Sequence, residues 1–182
     1  MSVERTTRGL TGVLVVAAAT VAGLGLLTGP AYAANPKPTL WPAQGAADAP
    51  SSCRPANNRA VVNPDEPSAG HRHYRVVLTA APGYSDCTLA GSPTDVIFHG
   101  GGGAPLGVES TPASGPAQPV TFGPGHPVHF DIQVPNTPGG ARAGSVTFTL
   151  SAPGGEIPGE QEAGGSMEVD RGTQIGPIQS GD

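Results

Sequence analysis

The stretch HRHYRVVLTA, residues 71–80, decides the fold class. Its apolar residues Tyr74, Val76 and Leu78 alternate with a second set that is mostly polar and includes His73 and Arg75. Successive side chains on a β-strand point to opposite faces of the sheet, so a period of two predicts a strand with one buried face.

The same alternation recurs in PVHFDIQV, residues 127–134, and in SVTFTLS, residues 145–151. Shorter strands are predicted at residues 59–62, 87–89, 95–99, 106–109, 120–122, 166–169 and 174–178. Turn-forming segments separate them, and Pro or Gly interrupts every window that could hold an amphipathic helix. The pattern predicts an all-β protein, an antiparallel β-sandwich of about seven to nine strands over residues 52–182. Residues 110–118 and 153–165 are expected to be mobile surface loops.

The first 33 residues have the features of a secretory signal peptide. Arg5 and Arg8 precede an uncharged apolar stretch at residues 10–27, and an Ala-x-Ala cleavage signal ends at Ala33. A retained membrane anchor is the alternative. Residues 34–51 are rich in Pro and Ala, and we interpret them as a flexible tether. No second apolar run of about twenty residues follows, so no membrane association is expected after cleavage.

Composition narrows the class of partner. The chain has 9 basic and 14 acidic residues and a net charge of −5, so it lacks the basic patch that nucleic acid or an anionic membrane would need. With 28 Gly and 21 Pro, it is expected to be rich in loops. The composition therefore favours an unknown protein or a cell-wall ligand as the partner, and it leaves the oligomeric state open.

The two cysteines, Cys53 and Cys87, are expected to form a structural disulfide, because an exported protein meets an oxidising environment. A metal site or a reactive thiol pair is the alternative. The spacing favours neither, since it is not C-x-x-C and has no metal-ligand pattern.

The run IFHGGGGAPLG, residues 97–107, resembles an oxyanion loop or a phosphate-binding loop. An oxyanion loop of this type needs a G-x-S-x-G nucleophile elbow, and a phosphate loop needs a helix N-terminus after it. The sequence has neither. The run is therefore interpreted as the turn of a hairpin whose second strand is residues 106–109.

Two histidines are the weak candidates for a metal site. His71 and His73 share one face of the first predicted strand and could bind Zn²⁺ or Cu²⁺. Arg75 continues that face, and its charge would repel a cation. No third ligand follows from the spacing, and no cofactor is expected.

No catalytic residue is assigned, since neither paired carboxylates nor a Ser-His-Asp arrangement has a local signature. The chain is therefore expected not to be an enzyme.

One long stretch also resembles a family of exported actinobacterial domains of unknown function. The matching residues are Cys53, Ala69-Gly70-His71, Cys87-Thr88-Leu89, Gly91, Pro93 and the glycine turn at residues 100–103. The likeness covers about residues 53–177. It departs from the family at Thr79-Ala80-Ala81-Pro82 and lacks a later cysteine pair that many members carry. The resemblance implies an immunoglobulin-like sandwich, and it implies no activity or catalytic residue.

These features lead us to expect an exported, non-catalytic binding module of the bacterial cell envelope or the extracellular space. A metal-binding envelope protein that uses His71 and His73 is the alternative. A hydrolase whose site forms only in three dimensions is the second alternative.

Overall fold

The computed structural model describes residues Pro50–Asp182. A single 3-10 turn, Pro55–Asn57, precedes the strands. The thirteen strands are β1 (Asn58–Ser68), β2 (His71–Ala80), β3 (Cys87–Leu89), β4 (Thr94–His99), β5 (Ser110–Pro112), β6 (Val120–Phe122), β7 (Val128–Pro135), β8 (Ala141–Thr149), β9 (Ser151–Ala152), β10 (Gly155–Glu156), β11 (Gln161–Val169), β12 (Thr173–Ile175) and β13 (Gln179–Ser180).

Nine of these strands form one sheet that folds over on itself. Its order is β4-β8-β11-β1-β2-β7-β12-β5, and β13 pairs with β7 beside β12. Three strands separate β7 from β8 in that order. Even so, the rings of Phe130 on β7 and Phe148 on β8 lie 5.0 Å apart, edge to face. The two halves of the sheet thus enclose one core, and the prediction of an all-β, immunoglobulin-like sandwich is confirmed.

β1 joins the two halves at one side of the sandwich. It runs antiparallel to β2 from Asn58 to Ser68, and it runs parallel to β11 only at Ala60 and Val61. Beyond these residues the pairing of β11 with β8 is irregular between Gly164 and Met167. At that point a Cβ on Gly165 would lie 2.5 Å from the carbonyl oxygen of Val62, so only glycine fits.

The segment after the glycine turn joins the two halves at the other side. The turn is closed by Gly103 N–H donating to Gly100 O at 2.8 Å, and Leu106 N–H donates to Phe98 O at 2.9 Å. The interpretation of the run as a turn is therefore confirmed. The prediction of a strand at residues 106–109 is wrong, because the chain leaves β4 there and next pairs at β5, which is parallel to β12.

The predicted buried faces of β2, β7 and β8 are confirmed. The predicted apolar core residues of β2, β7 and β8 are buried, and Phe98 and Phe122 join them from β4 and β6. The fully buried residues on the three strands include Val76, Leu78, Val128, Phe130, Ile132, Val134, Val146 and Phe148.

Three stretches expected to be turns or loops contain strand instead. Residues 63–68, with Pro64 and Pro67, continue β1, and proline is tolerated because β11 no longer pairs with that edge. Residues 153–165 contain β10 and the start of β11, and residues 110–118 begin with β5. In β11 the buried positions Gln161 and Ala163 alternate with Glu162 and Gly164, so the apolar signal of the strand is weak.

The predicted signal peptide and residues 34–49 of the predicted tether lie outside the described residues. Ser51, at the end of the predicted tether, forms a bridge with Ser85. Within residues 50–182 no helix is long and apolar enough to cross a membrane.

Candidate functional site

The two predicted metal ligands lie side by side on the outer face of β2. The ring centroids of His71 and His73 are 6.4 Å apart. His73 Nε2 lies 2.6 Å from the hydroxyl oxygen of Ser68, so this nitrogen already has a hydrogen-bond partner. In the described part of the chain, no group of three or more His, Cys, Asp or Glu side chains is arranged to hold a metal ion.

Arg75 is the centre of a charge cluster next to these histidines. Its guanidinium lies 2.9 Å from the carboxylate of Asp65 on β1 and 3.4 Å from that of Asp131 on β7. It also donates to the backbone oxygen of Asp182 at 3.4 Å. Neighbouring carboxylates therefore compensate the charge that we expected to repel a cation.

The largest concavity described is an open groove on the outer face of β1 and β2, with a volume of about 930 Å³. We call it the β1/β2 groove. Its floor is built from three adjacent cross-strand pairs: Arg59 with Thr79, Val61 with Val77, and Asn63 with Arg75. Its rim includes Asp65, Asp182 and residues 56–58, 80–82 and 64.

Strand geometry sets the chemistry of this floor. Outward positions recur every second residue, so the three pairs follow one another at steps of about 6.6 Å along the strands. Val61 and Val77 form the central pair, and Val61 is 39 % exposed although it is apolar. Polar side chains lie on both sides of this apolar centre. Such an arrangement of an apolar centre and a polar rim is typical of protein interfaces.

Arg59 differs from Arg75 in its surroundings. It is exposed, and no carboxylate among the described residues lies within ion-pair distance of it. Glu162 on the neighbouring strand β11 is its nearest acidic residue by register, beside the pair Ala60–Ala163. The groove therefore has one cation at its floor whose charge is not compensated by an ion pair.

A second, smaller groove of about 680 Å³ lies against the disulfide. Cys53 and Cys87 are bonded, with a Cα–Cα distance of 6.0 Å, so the predicted pairing is confirmed. The bond ties the segment before β1 to β3. Arg54, Ile157 and Glu160 complete the wall of this groove.

Sequence reasoning missed the polar contacts at one end of the sandwich. Arg72 faces inward from β2, where its guanidinium forms an ion pair with Glu168 of β11 and donates to the carbonyl oxygen of Pro135 at 3.2 Å. The hydroxyl of Tyr74, also inward, accepts a hydrogen bond from the backbone N–H of Glu168 at 2.9 Å. The two-residue period of β2 places Arg72 on the same face as the core residues, so its inward position could have been predicted from the sequence.

Asp170 lies beside these contacts, and its pKa is lowered from the ordinary value of an aspartate. The hydroxyl of Thr137 donates to the carboxylate and is the largest cause, followed by the backbone N–H of Arg171. The positive charges of Arg72 and Arg171 act in the same direction.

Two sequence features considered for a hydrolase, residues 164–168 and the histidine before the glycine turn, lie in the strand framework. The pentapeptide nearest to a nucleophile elbow, residues 164–168, runs along β11 and is not a strand-to-helix turn. His99, beside the glycine turn, lies 3.0 Å from the hydroxyl of Thr147 and 3.2 Å from the carbonyl oxygen of Gly103. Both ring nitrogens of His99 thus have partners in the fold.

Comparison with known proteins gives a family and no activity. Residues 53–179 match the family described as a domain of unknown function, DUF4232. No curated protein and no solved structure matches the chain. The resemblance to a family of domains of unknown function is thereby confirmed. Since the match covers more than half of the sequence and nearly all of the described strands, this chain belongs to the DUF4232 family.

Proposed function

We propose that this chain is an exported, non-catalytic binding module that acts in the bacterial cell envelope or the extracellular space, and that it binds its ligand in the β1/β2 groove. The observation that carries the proposal is the groove itself. It is the largest concavity described, and its apolar centre, Val61 and Val77, is open to solvent. An exposed apolar centre inside a concave polar surface is a feature of binding sites.

The lining of the groove supports binding in preference to catalysis. It contains neither serine nor histidine nor cysteine. The carboxylate of Asp65 on its rim is held by Arg75 at 2.9 Å and serves charge compensation. The side chains that line the groove are sufficient for binding through fixed polar groups around an apolar patch.

Two features support export. The N-terminal 33 residues have the composition of a signal peptide. The Cys53–Cys87 bond belongs to the class of structural disulfides, which form and persist in oxidising compartments outside the cytoplasm.

The experiment is capture of ligand from the envelope fraction and the culture medium of the producing cells, with the immobilised domain. The test variant is Val61→Asp, which places a charge at the centre of the groove. The matched control is Ile97→Asp. In the described part of the chain, Ile97 is the other large apolar residue that is exposed, at 42 %, and it lies outside the groove. We expect wild type and the Ile97 variant to retain the same material and the Val61 variant to lose it. Equal retention by all three would overturn the proposal.

A second candidate function is metal binding through His71 and His73, which rests on their shared face and the 6.4 Å between their rings. Calorimetric titration with Zn²⁺ and with Cu²⁺ tests it. Micromolar binding that His71→Ala abolishes would support a metal site there. Absence of micromolar binding would remove this candidate.

A further inference from the structure

We infer that the β1/β2 groove takes an extended segment of a partner protein that presents an aliphatic side chain and, next to it, a carboxylate. This inference rests on the proposed function and deepens it, because it names the class of ligand. It depends on the composition of the groove, on the backbone pairing beneath it and on the one cation at its floor that has no ion-pair partner among the described residues.

The apolar centre determines what can be buried there. Val61 and Val77 face each other across β1 and β2 and present only methyl groups. The lining contains no Phe, Tyr or Trp, so no aromatic ring is available on which the apolar face of a sugar could stack. An aliphatic side chain gains free energy when it covers the two valines, roughly in proportion to the apolar area removed from water. The centre therefore favours an aliphatic group over a glycan.

The charges determine what can lie beside that group. Arg75 has three oxygen partners in the fold, from Asp65, Asp131 and Asp182. Arg59, by contrast, has no ion pair within residues 50–182. It lies two residues before Val61 on the same face of β1. A guanidinium pairs most strongly with a carboxylate, which can accept two parallel hydrogen bonds from it. A ligand carboxylate at Arg59 would thus lie about 7 Å from the apolar centre, the distance covered by two residues of an extended chain.

The backbone beneath the groove excludes recognition by strand addition. The floor residues of β1 and β2 are paired with each other, from Asn58–Ala80 to Asp65–His73. Beyond Val61, β1 no longer pairs with β11, and this open edge contains Pro64 and Pro67, which have no N–H to donate. The groove must therefore recognise the side chains of its ligand. The exposed amide of Asn63 lies on the floor, where it can bond the backbone of a segment that lies across it.

The test is selection from a phage-displayed library of random heptapeptides on the immobilised domain, followed by affinity measurement on the enriched peptides. We expect the enriched peptides to share an aliphatic residue one or two positions from Asp or Glu. Val61→Asp should weaken their binding by about tenfold or more. Arg59→Gln should weaken it by about three- to tenfold, and added salt should reduce the difference between wild type and this variant.

The controls separate the groove from the rest of the surface. Ile97→Asp and Arg142→Gln change an exposed apolar residue and an exposed arginine outside the groove, and both should bind as wild type does. Circular dichroism and thermal melting of each variant show that the fold is kept. Val61→Thr retains the β-branched shape and should give an intermediate loss if Val61→Asp fails to fold.

The failure of this inference differs from the failure of the proposed function. If the domain captures envelope material in a Val61-dependent way but enriches no peptide, the ligand is of another class and the inference is wrong while the proposed function stands. Enriched peptides that are basic, or that bind the Arg59 and Val61 variants as well as wild type, would also overturn the inference. If neither capture nor selection depends on Val61, the inference and the proposed function are both wrong.

Discussion

Removal of the disulfide tests how the segment before β1 is held. In the chain-entropy account, a bond between residues 34 apart lowers the entropy of the unfolded chain by about 12–13 cal/mol/K, which corresponds to about 3.8 kcal/mol at 25 °C. For a domain of this size the unfolding entropy is roughly 280 cal/mol/K. The double variant Cys53→Ala/Cys87→Ala should therefore melt about 13 °C below wild type.

Hydrogen bonds in the same region limit how much structure the double variant loses. Besides the disulfide, Ser52 N–H donates to Ser85 O at 2.9 Å, and the Asn58 amide donates to Ser52 O at 3.0 Å and to Arg54 O at 2.9 Å. These bonds should keep the variant folded, with native circular dichroism below its transition. Urea unfolding of the two proteins, followed by far-ultraviolet circular dichroism, gives the difference in free energy. A change under about 1 kcal/mol would refute the reasoning, since the bond would then constrain little in the unfolded chain.

Three further perturbations follow from individual contacts. Arg72→Ala should lower the free energy of unfolding by about 1 kcal/mol in urea titrations, because it removes the ion pair with Glu168, which keeps only Arg142 among the described residues, at 4.0 Å, and the hydrogen bond to the Pro135 carbonyl; an unchanged free energy would contradict the role assigned to it. Gly165→Ala should cost about 2–3 kcal/mol, because its Cβ would meet the carbonyl oxygen of Val62, whereas Gly164→Ala, where a Cβ meets nothing within 4 Å, should change stability little. Thr137→Val should raise the pKa of the Asp170 carboxyl toward its ordinary value in an NMR titration, and an unchanged pKa in the variant would contradict the assignment. Since the folded pKa is lowered, the stabilisation from this carboxylate is present above the unfolded pKa and is lost as pH falls through the folded pKa.

Long alternating segments make the fold predictable. β2 begins at His71 and ends at Ala80 as the sequence indicates, because Tyr74, Val76 and Leu78 alternate along it as buried core residues. β7 is predicted within one residue at each end for the same reason. Where the buried residues are small or polar, as at Gln161 and Ala163 of β11, the period carries little apolar contrast and the start of the strand resembles a loop.

The candidate site is less accessible to sequence reasoning. Val61 and Val77 become an apolar centre only because β1 and β2 pair in one register, and a shift by one residue would bury one of them. The crossing of residues 105–112 between β4 and β12 likewise depends on contacts far apart in the sequence, so the composition of residues 106–109 alone cannot show that they leave the hairpin. The pairing of Cys53 with Cys87 is predictable because the chain has only two cysteines.

The proposed ligand site, the β1/β2 groove, can be located directly. The most direct measurement is an NMR titration of the ¹⁵N-labelled domain with envelope extract from the producing cells, which reports the position of binding even when the ligand is unidentified. We expect amide shifts to concentrate at Arg59–Asp65 of β1 and Arg75–Thr79 of β2 and to disappear in Val61→Asp. Shifts that concentrate instead on β4 and β8, or that persist unchanged in the Val61 variant, would contradict it.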